Sequence, residues 1–213
     1  MIVIRTIEEL ESERERQRKV WIESGKEEDE FYLMLEGADL RGANLKKVDL
    51  EGAIINSANL TRADLKWANL VRGIFRGTNF DGADLYRANM FDSCLICANL
   101  SRSNLSHANL WKSDLMGANM RGASLYASKL MGADLSRADL TGANLSGANL
   151  EGVIWINTNL ERADLSGADL RGADLSLVNL SGAKISDTII TQSQYDELAK
   201  LYSHEVMACF KIE

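Results

Sequence analysis

The chain has 213 residues, enough for one domain or one repeat array with end pieces, and enough to bury a substantial core. It contains no Pro, two His, three Cys and 16 Gly, the make-up of a repetitive, turn-rich architecture rather than of a general-purpose enzyme. The net charge of −7 is unevenly spread: residues 33–192 carry 17 acids against 16 bases, so the bulk of the chain lacks the concentrated basic face that direct nucleic-acid binding requires.

No cationic start leads into an apolar signal segment and no apolar run reaches about 18 residues, so neither export nor membrane insertion is expected and the cytoplasm is the expected location. Cys94, Cys97 and Cys209 are too few and too irregularly spaced for a disulfide framework, which suits a reducing compartment.

Residues 1–32 read as an N-terminal cap. Thr6 and Glu9 match a capping box, and Ile7 and Leu10 open an apolar face. The stretch ESERERQRK, residues 11–19, has no large apolar residue; its Glu11/Arg14, Glu13/Arg16 and Glu15/Lys19 pairs suit an exposed helix that docks through Ile7, Leu10, Val20 and Trp21. GKEEDE, residues 25–30, reads as a solvated linker.

From Leu35 to Ile190 every fifth residue is apolar, 32 positions without an interruption. Two places earlier the residue is usually small, and one place earlier it is Asn or Asp in 23 of the 32. A helix cannot use this beat: five residues at about 100° each leave successive leucines roughly 140° apart. A straight strand fails because its side chains alternate with period two and five is odd. The phase must therefore be reset by a bend once per repeat. Fourteen of the 16 glycines lie two places after a core residue, where a type II turn needs positive φ, so the two residues following each core position form the bend. The result is a coil with flat sides, leucines meeting at its axis and small residues filling the space between them.

Departures from the pattern recur every 20 residues, which predicts four sides per turn and about eight coils over residues 33–192. Residues 193–213 complete the chain as a C-terminal cap. Ser193 with Asp196 suggests a helix start, and Tyr195, Leu198, Tyr202, Val206 and Phe210 follow at helical spacing, predicting one amphipathic helix over 193–210 that closes the last coil.

GADLRGANL at 37–45 and ADLSGADLRGADL at 163–175 resemble the pentapeptide-repeat family, with its A(D/N)LxX consensus, across roughly residues 33–192. The resemblance implies an all-β solenoid, a right-handed four-sided β-helix, with short helical segments at its termini. It also implies that the C-terminal segment could build a two-fold homodimer. Some members protect or inhibit type II topoisomerases such as DNA gyrase by imitating duplex DNA. This chain departs from that picture through its balanced charge, and Asp164, Asp169 and Asp174 fall on different sides instead of forming one acidic stripe.

Chemistry is sparse in the pattern. CLIC at 94–97 has the spacing of a metal pair but no second pair, and the coil geometry does not stack His107 on Cys97; neither a metal site nor a cofactor is expected. His107 and His204 have no nucleophile at a repeat-related spacing, and the recurrent Asp are explained by turn hydrogen bonding, so no catalysis is expected. Tyr86 and Tyr126 share a side two coils apart and read as isolated surface tyrosines.

The broken repeats gather instead. Residues one place before and one after a core position point outward. Ile54, Ile74, Cys94 and Ile154 fall on one side, joined by Ile96, Met116 and Ile156, while Val71, Phe91, Trp111 and Met131 run along the adjoining corner. This apolar corner suits capture of a protein partner or self-association, with Phe91 and Trp111 as anchors. Alternatively the N-terminal segment folds back and buries Leu10 or Trp21 against it. The function expected is a non-catalytic interaction scaffold, with topoisomerase modulation as the alternative.

Overall fold

The computed structural model describes residues 2–27, 31–176, 178, 180, 182–200 and 203–213, with His204 and Glu205 described in their backbone alone. Parallel bridges join residues 20 apart along the array, in four columns. Face 1 runs Met34, Ile54, Ile74, Cys94, Asp114, Asp134, Ile154; face 2 starts at Asp39, face 3 at Asn44 and face 4 at Asp49. The 20-residue turn that the recurrent departures predicted is the one observed. Each bridge is held by a pair of backbone hydrogen bonds between neighbouring coils: the Leu35 N–H donates to the Ile54 carbonyl at 2.8 Å, and the Ile54 N–H to the Leu33 carbonyl at 2.9 Å.

All 32 positions of the five-residue beat are buried, none more than 8% exposed. The corners show why the wording of the repeats can vary without changing the rhythm. Among the described residues from Gly37 to Asp187, the second residue after a core position holds positive φ whether or not it is glycine: Gly142 at +65°, but also Trp67 at +56° and His107 at +59°. Among the described residues sixteen that are not glycine take this conformation, a local cost that the hydrogen bonds on both sides of the corner offset. The Asn or Asp before each core residue is likewise explained. Its Oδ1 accepts the N–H two residues on, as Asp84 does from Tyr86 at 3.1 Å, and where it is Asn its amide can also donate to the coil before, as Asn99 does to Asn79 at 3.0 Å. Buried hydroxyls are satisfied too: Thr78 donates to the Ile55 carbonyl at 2.6 Å and Ser103 to the Leu100 carbonyl at 2.7 Å.

An open solenoid ends in unpaired backbone, and the chain covers its first coil with its own N-terminus. Residues 2–5 add a parallel strand segment to face 2, Val3 pairing with Asp39. The Arg5 carbonyl accepts the Asn44 N–H of face 3 at 2.9 Å. Helix α1, Ile7–Glu23, begins at the Thr6/Glu9 capping box and plugs the core with Leu10, which is fully buried. From α1, Arg14 donates to the Asp49 carbonyl of face 4, and the Gln17 amide makes both bonds of a strand neighbour to Met34 of face 1, at 2.7 and 2.9 Å. All four faces are thus met at that end. Docking runs through Leu10 and these polar groups rather than through Val20, which is 57% exposed. Glu11/Arg14 and Glu13/Arg16 pair as the spacing predicted, whereas Glu15 pairs with Arg18 and Lys19 with Glu23.

The C-terminal end differs from the single helix expected over 193–210. Strand β1, Thr188–Ile190, is followed by helix α2, Gln192–Leu198, a one-turn helix α3, His204–Met207, and strand β2, Phe210–Ile212, which pairs in parallel with β1. The cap of helix α2 is Thr191 rather than Ser193, in a Thr191/Gln194 capping box, and the Gln194 amide reaches the carbonyls of Leu170 and Ala173 at 2.7 and 2.8 Å. Phe210 belongs to the strand because the edge of β1 still needed a partner, and backbone pairing there outweighs continuation of the helical pattern.

Candidate interaction surface

The outward side chains are placed by the corner hydrogen bonds. Asn89 and Asn109 accept the N–H groups of Phe91 and Trp111, each at 3.3 Å, and so hold these residues on the corner between faces 4 and 1. The two rings meet edge to face, centroids 5.5 Å apart at 70°, with the Lys112 ammonium 5.6 Å from the Trp111 centroid. Val71 and Met131 continue the corner on either side, both half-buried, while Trp111 is 42% exposed. A hollow of ≈ 470 Å³ beside them is lined by Trp111, Ser128, Lys129 and Met131.

Face 1 brings Ile54, Ile74 and Cys94 into one column next to this corner, and Ile96 and Met116 stand at its far corner. Ile154 lies farther along the same column. Asp114 and Asp134 interrupt the column, so Ile154 and Ile156, 48% and 55% exposed, form a separate apolar island. At that island Trp155 occupies a core position that is otherwise mostly leucine. Its indole N–H donates to the Asp174 carbonyl at 2.8 Å, no bridge joins Ile154 to Asp174 among the described residues, and a cleft of ≈ 210 Å³ opens beside Val153, Trp155 and Gly172. The larger ring stands where backbone pairing would otherwise continue.

The N-terminal segment covers only one end of the patch, and with different residues from those expected. Leu10 lies in the core end and Trp21 packs on Phe31 and under Lys26, its centroid 3.8 Å from the ammonium. Tyr32 instead lies over Gly52, where an added Cβ would stand 3.2 Å from the ring, and a hollow of ≈ 380 Å³ separates Phe31 and Tyr32 from Ile54 and Ile74. Phe91 and Trp111 lie beyond it.

The C-terminal residues singled out from the sequence act within the chain. Leu198 and Phe210 are buried, and Tyr195 and Val206 pack against the core; Tyr202 lies outside the described residues. That apolar area closes the solenoid end.

A second feature escaped the sequence reading. Trp67, Tyr86, His107 and Tyr126 form a continuous edge-to-face ladder along the corner between faces 3 and 4, with centroid spacings of 5.7, 5.6 and 5.5 Å. Tyr86 and Tyr126 are therefore not isolated: His107 joins them. The signal was in the sequence as separations of 19, 21 and 19 rather than 20, because alternate members come from the first and second residue of the corner.

Charges on the surface are locally matched. Asp39 is paired with Arg41 and Arg5 and is held well below the usual carboxylate range, first by the Arg41 guanidinium. Arg102 lowers Asp81 in the same way, and Arg171 lowers Asp169. The Lys66 ammonium bridges Asp64 and Asp84 at 3.1 Å each, which pushes it up. Among the described residues no group of three or more His, Cys, Asp or Glu could hold a metal ion, and no helix is long and apolar enough to cross a membrane.

No curated protein sequence matches the chain. Among solved structures it is similar to HetL, a pentapeptide repeat protein involved in heterocyst differentiation regulation from the cyanobacterium Nostoc sp. strain PCC 7120. Identity there is 28% over 81% of this chain and 94% of that one, with a TM-score of 0.39. It is also similar to full-length QnrB1, a plasmid-mediated fluoroquinolone resistance protein, at 15% identity over 95% of this chain and 97% of that one, with a TM-score of 0.40. The family model for pentapeptide repeats matches in eight copies across residues 35–56 and 58–192. With the five-residue beat filling the core, the 20-residue turn in the backbone and this match over most of its length, the chain belongs to the pentapeptide repeat family.

Proposed function

We propose that this protein is a non-catalytic interaction scaffold, a right-handed four-sided rod that captures a protein partner, or a second copy of itself, on the apolar corner between faces 4 and 1. The observation that carries the reading is the Phe91–Trp111 pair, two aromatic rings in contact, Trp111 exposed and Phe91 half-buried, on a rigid backbone. Large aromatic groups on a rigid surface lose little conformational entropy on binding, and interfaces concentrate their affinity in such anchors. The N-terminal segment stops at Tyr32 and leaves this pair available.

The alternative, modulation of a type II topoisomerase by imitation of DNA, has less support. A DNA-like surface needs unneutralised acids in a row, whereas Asp39, Asp64, Asp81, Asp84, Asp139 and Asp169 each have a basic partner within 3.1 Å.

Phe91→Ser combined with Trp111→Ser tests the scaffold reading in a pull-down from native cytoplasm and in sedimentation analysis. Loss of the captured protein or of self-association, with an unchanged circular dichroism melt, is the expected result. Unchanged association removes the corner from consideration. A dose-dependent effect of the wild-type chain on gyrase supercoiling that survives both substitutions favours the alternative.

A further inference from the structure

The ladder of Trp67, Tyr86, His107 and Tyr126 lies on a different corner from the proposed capture site, and it has a repeat of its own. Successive rings meet at 87°, 85° and 88°, so each ring is nearly perpendicular to the next and alternate rings present the same aspect. The surface therefore repeats every two coils. At the usual spacing of adjacent strands two coils advance about 9.6 Å.

That distance discriminates between extended ligands. A polyproline II helix repeats every three residues at about 3.1 Å each, about 9.3 Å per turn, within about 0.3 Å of the ladder's repeat. A β-strand presents the same face about every 6.8 Å and an α-helical turn advances about 5.4 Å; neither divides the two-coil repeat evenly. Single-stranded nucleic acid would stack bases on exposed ring faces, but here successive rings turn edges to faces and each occupies part of its neighbour.

Two further observations suit a proline-rich chain. Its carbonyls have no internal donors, and the ladder supplies them: among the described residues the Trp67 Nε1–H and the hydroxyls of Tyr86 and Tyr126 donate to no protein acceptor, unlike the Trp21 and Trp155 indoles. The corner also carries a one-sided charge. The two bend residues of each coil here include Lys46, Lys47, Lys66 and Arg87 and no acid as far as Gly167, the flanking acids beside the ladder being Asp64 and Asp84 on face 3 and Asp49 on face 4, with the Lys46 ammonium 4.9 Å from the Trp67 ring and the Arg87 guanidinium 5.4 Å from the Tyr86 ring. Since Lys66 is taken up by Asp64 and Asp84, Lys46, Lys47 and Arg87 are left to meet an anion at the Trp67 end.

We propose that the corner between faces 3 and 4 binds a proline-rich segment in the polyproline II conformation, its turns seated on alternate rings of the ladder and an acidic residue at its Trp67 end. Polyproline ligands are recognised by aromatic rows because the helix is already ordered before binding, and a solenoid provides such a row at a fixed pitch.

The test uses the full chain and an oligoproline peptide of about ten residues ending in a glutamate pair, followed by NMR of the Trp67 indole and the Tyr86 and Tyr126 rings. Saturable shifts at all three are expected, with binding weakened at least about tenfold by Tyr86→Ala combined with Tyr126→Ala, and less by replacing the glutamates with glutamine. Both tyrosines lie outside the core, so the double variant should keep the wild-type circular dichroism spectrum and a cooperative melt, lowered only by the lost ring contacts. No saturable shift, equal binding by the double variant, or ring shifts with oligothymidine but not with oligoproline overturns the proposal.

Discussion

Gly73 tests whether the core is a set of size-matched pairs or merely a greasy axis. It is one of two glycines in the chain that do not stand at a coil corner, and its φ is not positive, so its backbone alone would accept alanine. The neighbouring side chain forbids it. An alanine Cβ at Gly73 would overlap Cε2 of Phe75 and lie 2.5 Å from its Cζ and 3.1 Å from the Leu70 carbonyl oxygen. Carbon atoms settle at about 3.5–4.0 Å, so the ring must retreat by about 1 Å or more. It has nowhere to go, being 1% exposed and set edge to face on Phe80 at 5.6 Å. Overpacking of this kind costs about 1–3 kcal/mol, while loss of glycine's unfolded-state freedom returns about 0.4–1 kcal/mol, leaving a net destabilisation of about 1–2 kcal/mol for Gly73→Ala. Phe75→Leu alone leaves a void beside the glycine and should cost a similar amount. Together they recreate the alanine-and-leucine pairing seen at Ala58 and Leu60, and the double variant should return to within about 1 kcal/mol of wild type. A coupling of about 2 kcal/mol is thus expected from the double-mutant cycle. Hydrogen exchange at the Phe75 and Cys94 amides, whose bonds at 2.7 and 2.9 Å join this coil to the next, reads the local effect without assuming two-state unfolding of the whole rod. A neutral or stabilising Gly73→Ala, or additivity within about 0.5 kcal/mol, would refute the size-matching argument.

Leu10→Ala should remove the end plug at a cost of about 2–5 kcal/mol, felt locally, because each coil touches only its neighbours. Exchange at the Leu35 and Leu40 amides should accelerate while that at Leu100 stays near its wild-type rate, and uniform acceleration would contradict the cap. Ala127 sits at φ +51°, so Ala127→Gly relieves about 1–2 kcal/mol of left-handed strain against about 0.4–1 kcal/mol of added unfolded-state freedom. The melt should rise slightly, and a clear fall would count against strain at the corners. Asp39 ionises in the folded chain well below its unfolded value near ~3.9, so its contribution is complete above that value and is lost as the pH falls through the folded one. N-terminal protection should therefore decline from about pH 4 downwards, and Asp39→Asn should flatten that decline; an identical acid profile in the variant would exclude the Asp39–Arg41–Arg5 group as its cause.

How far the surface could be read in advance depended on how local its causes are. Phe91, Trp111, Val71 and Met131 were found because a 20-residue spacing places them on one corner whatever their neighbours do. The aromatic ladder was missed because Trp67 and His107 sit one residue later in the corner than Tyr86 and Tyr126, and only side-chain direction closes that gap. Ile154 shares a face with Ile54 and Ile74, as multiples of 20 require, but Asp114 and Asp134 stand between them in the column and break the apolar surface.

The amino-acid order by itself determined the rod: a beat of five with a positive-φ corner has no other regular solution, and departures recurring every 20 residues count its sides. The ends and the surface contacts were left to tertiary structure. Strand segments at Val3 and Phe210 exist because coil edges there needed backbone partners, a demand made by residues distant in the chain. Which rings touch, and which acids are neutralised, follows from side chains meeting across coils, and no local pattern encodes that.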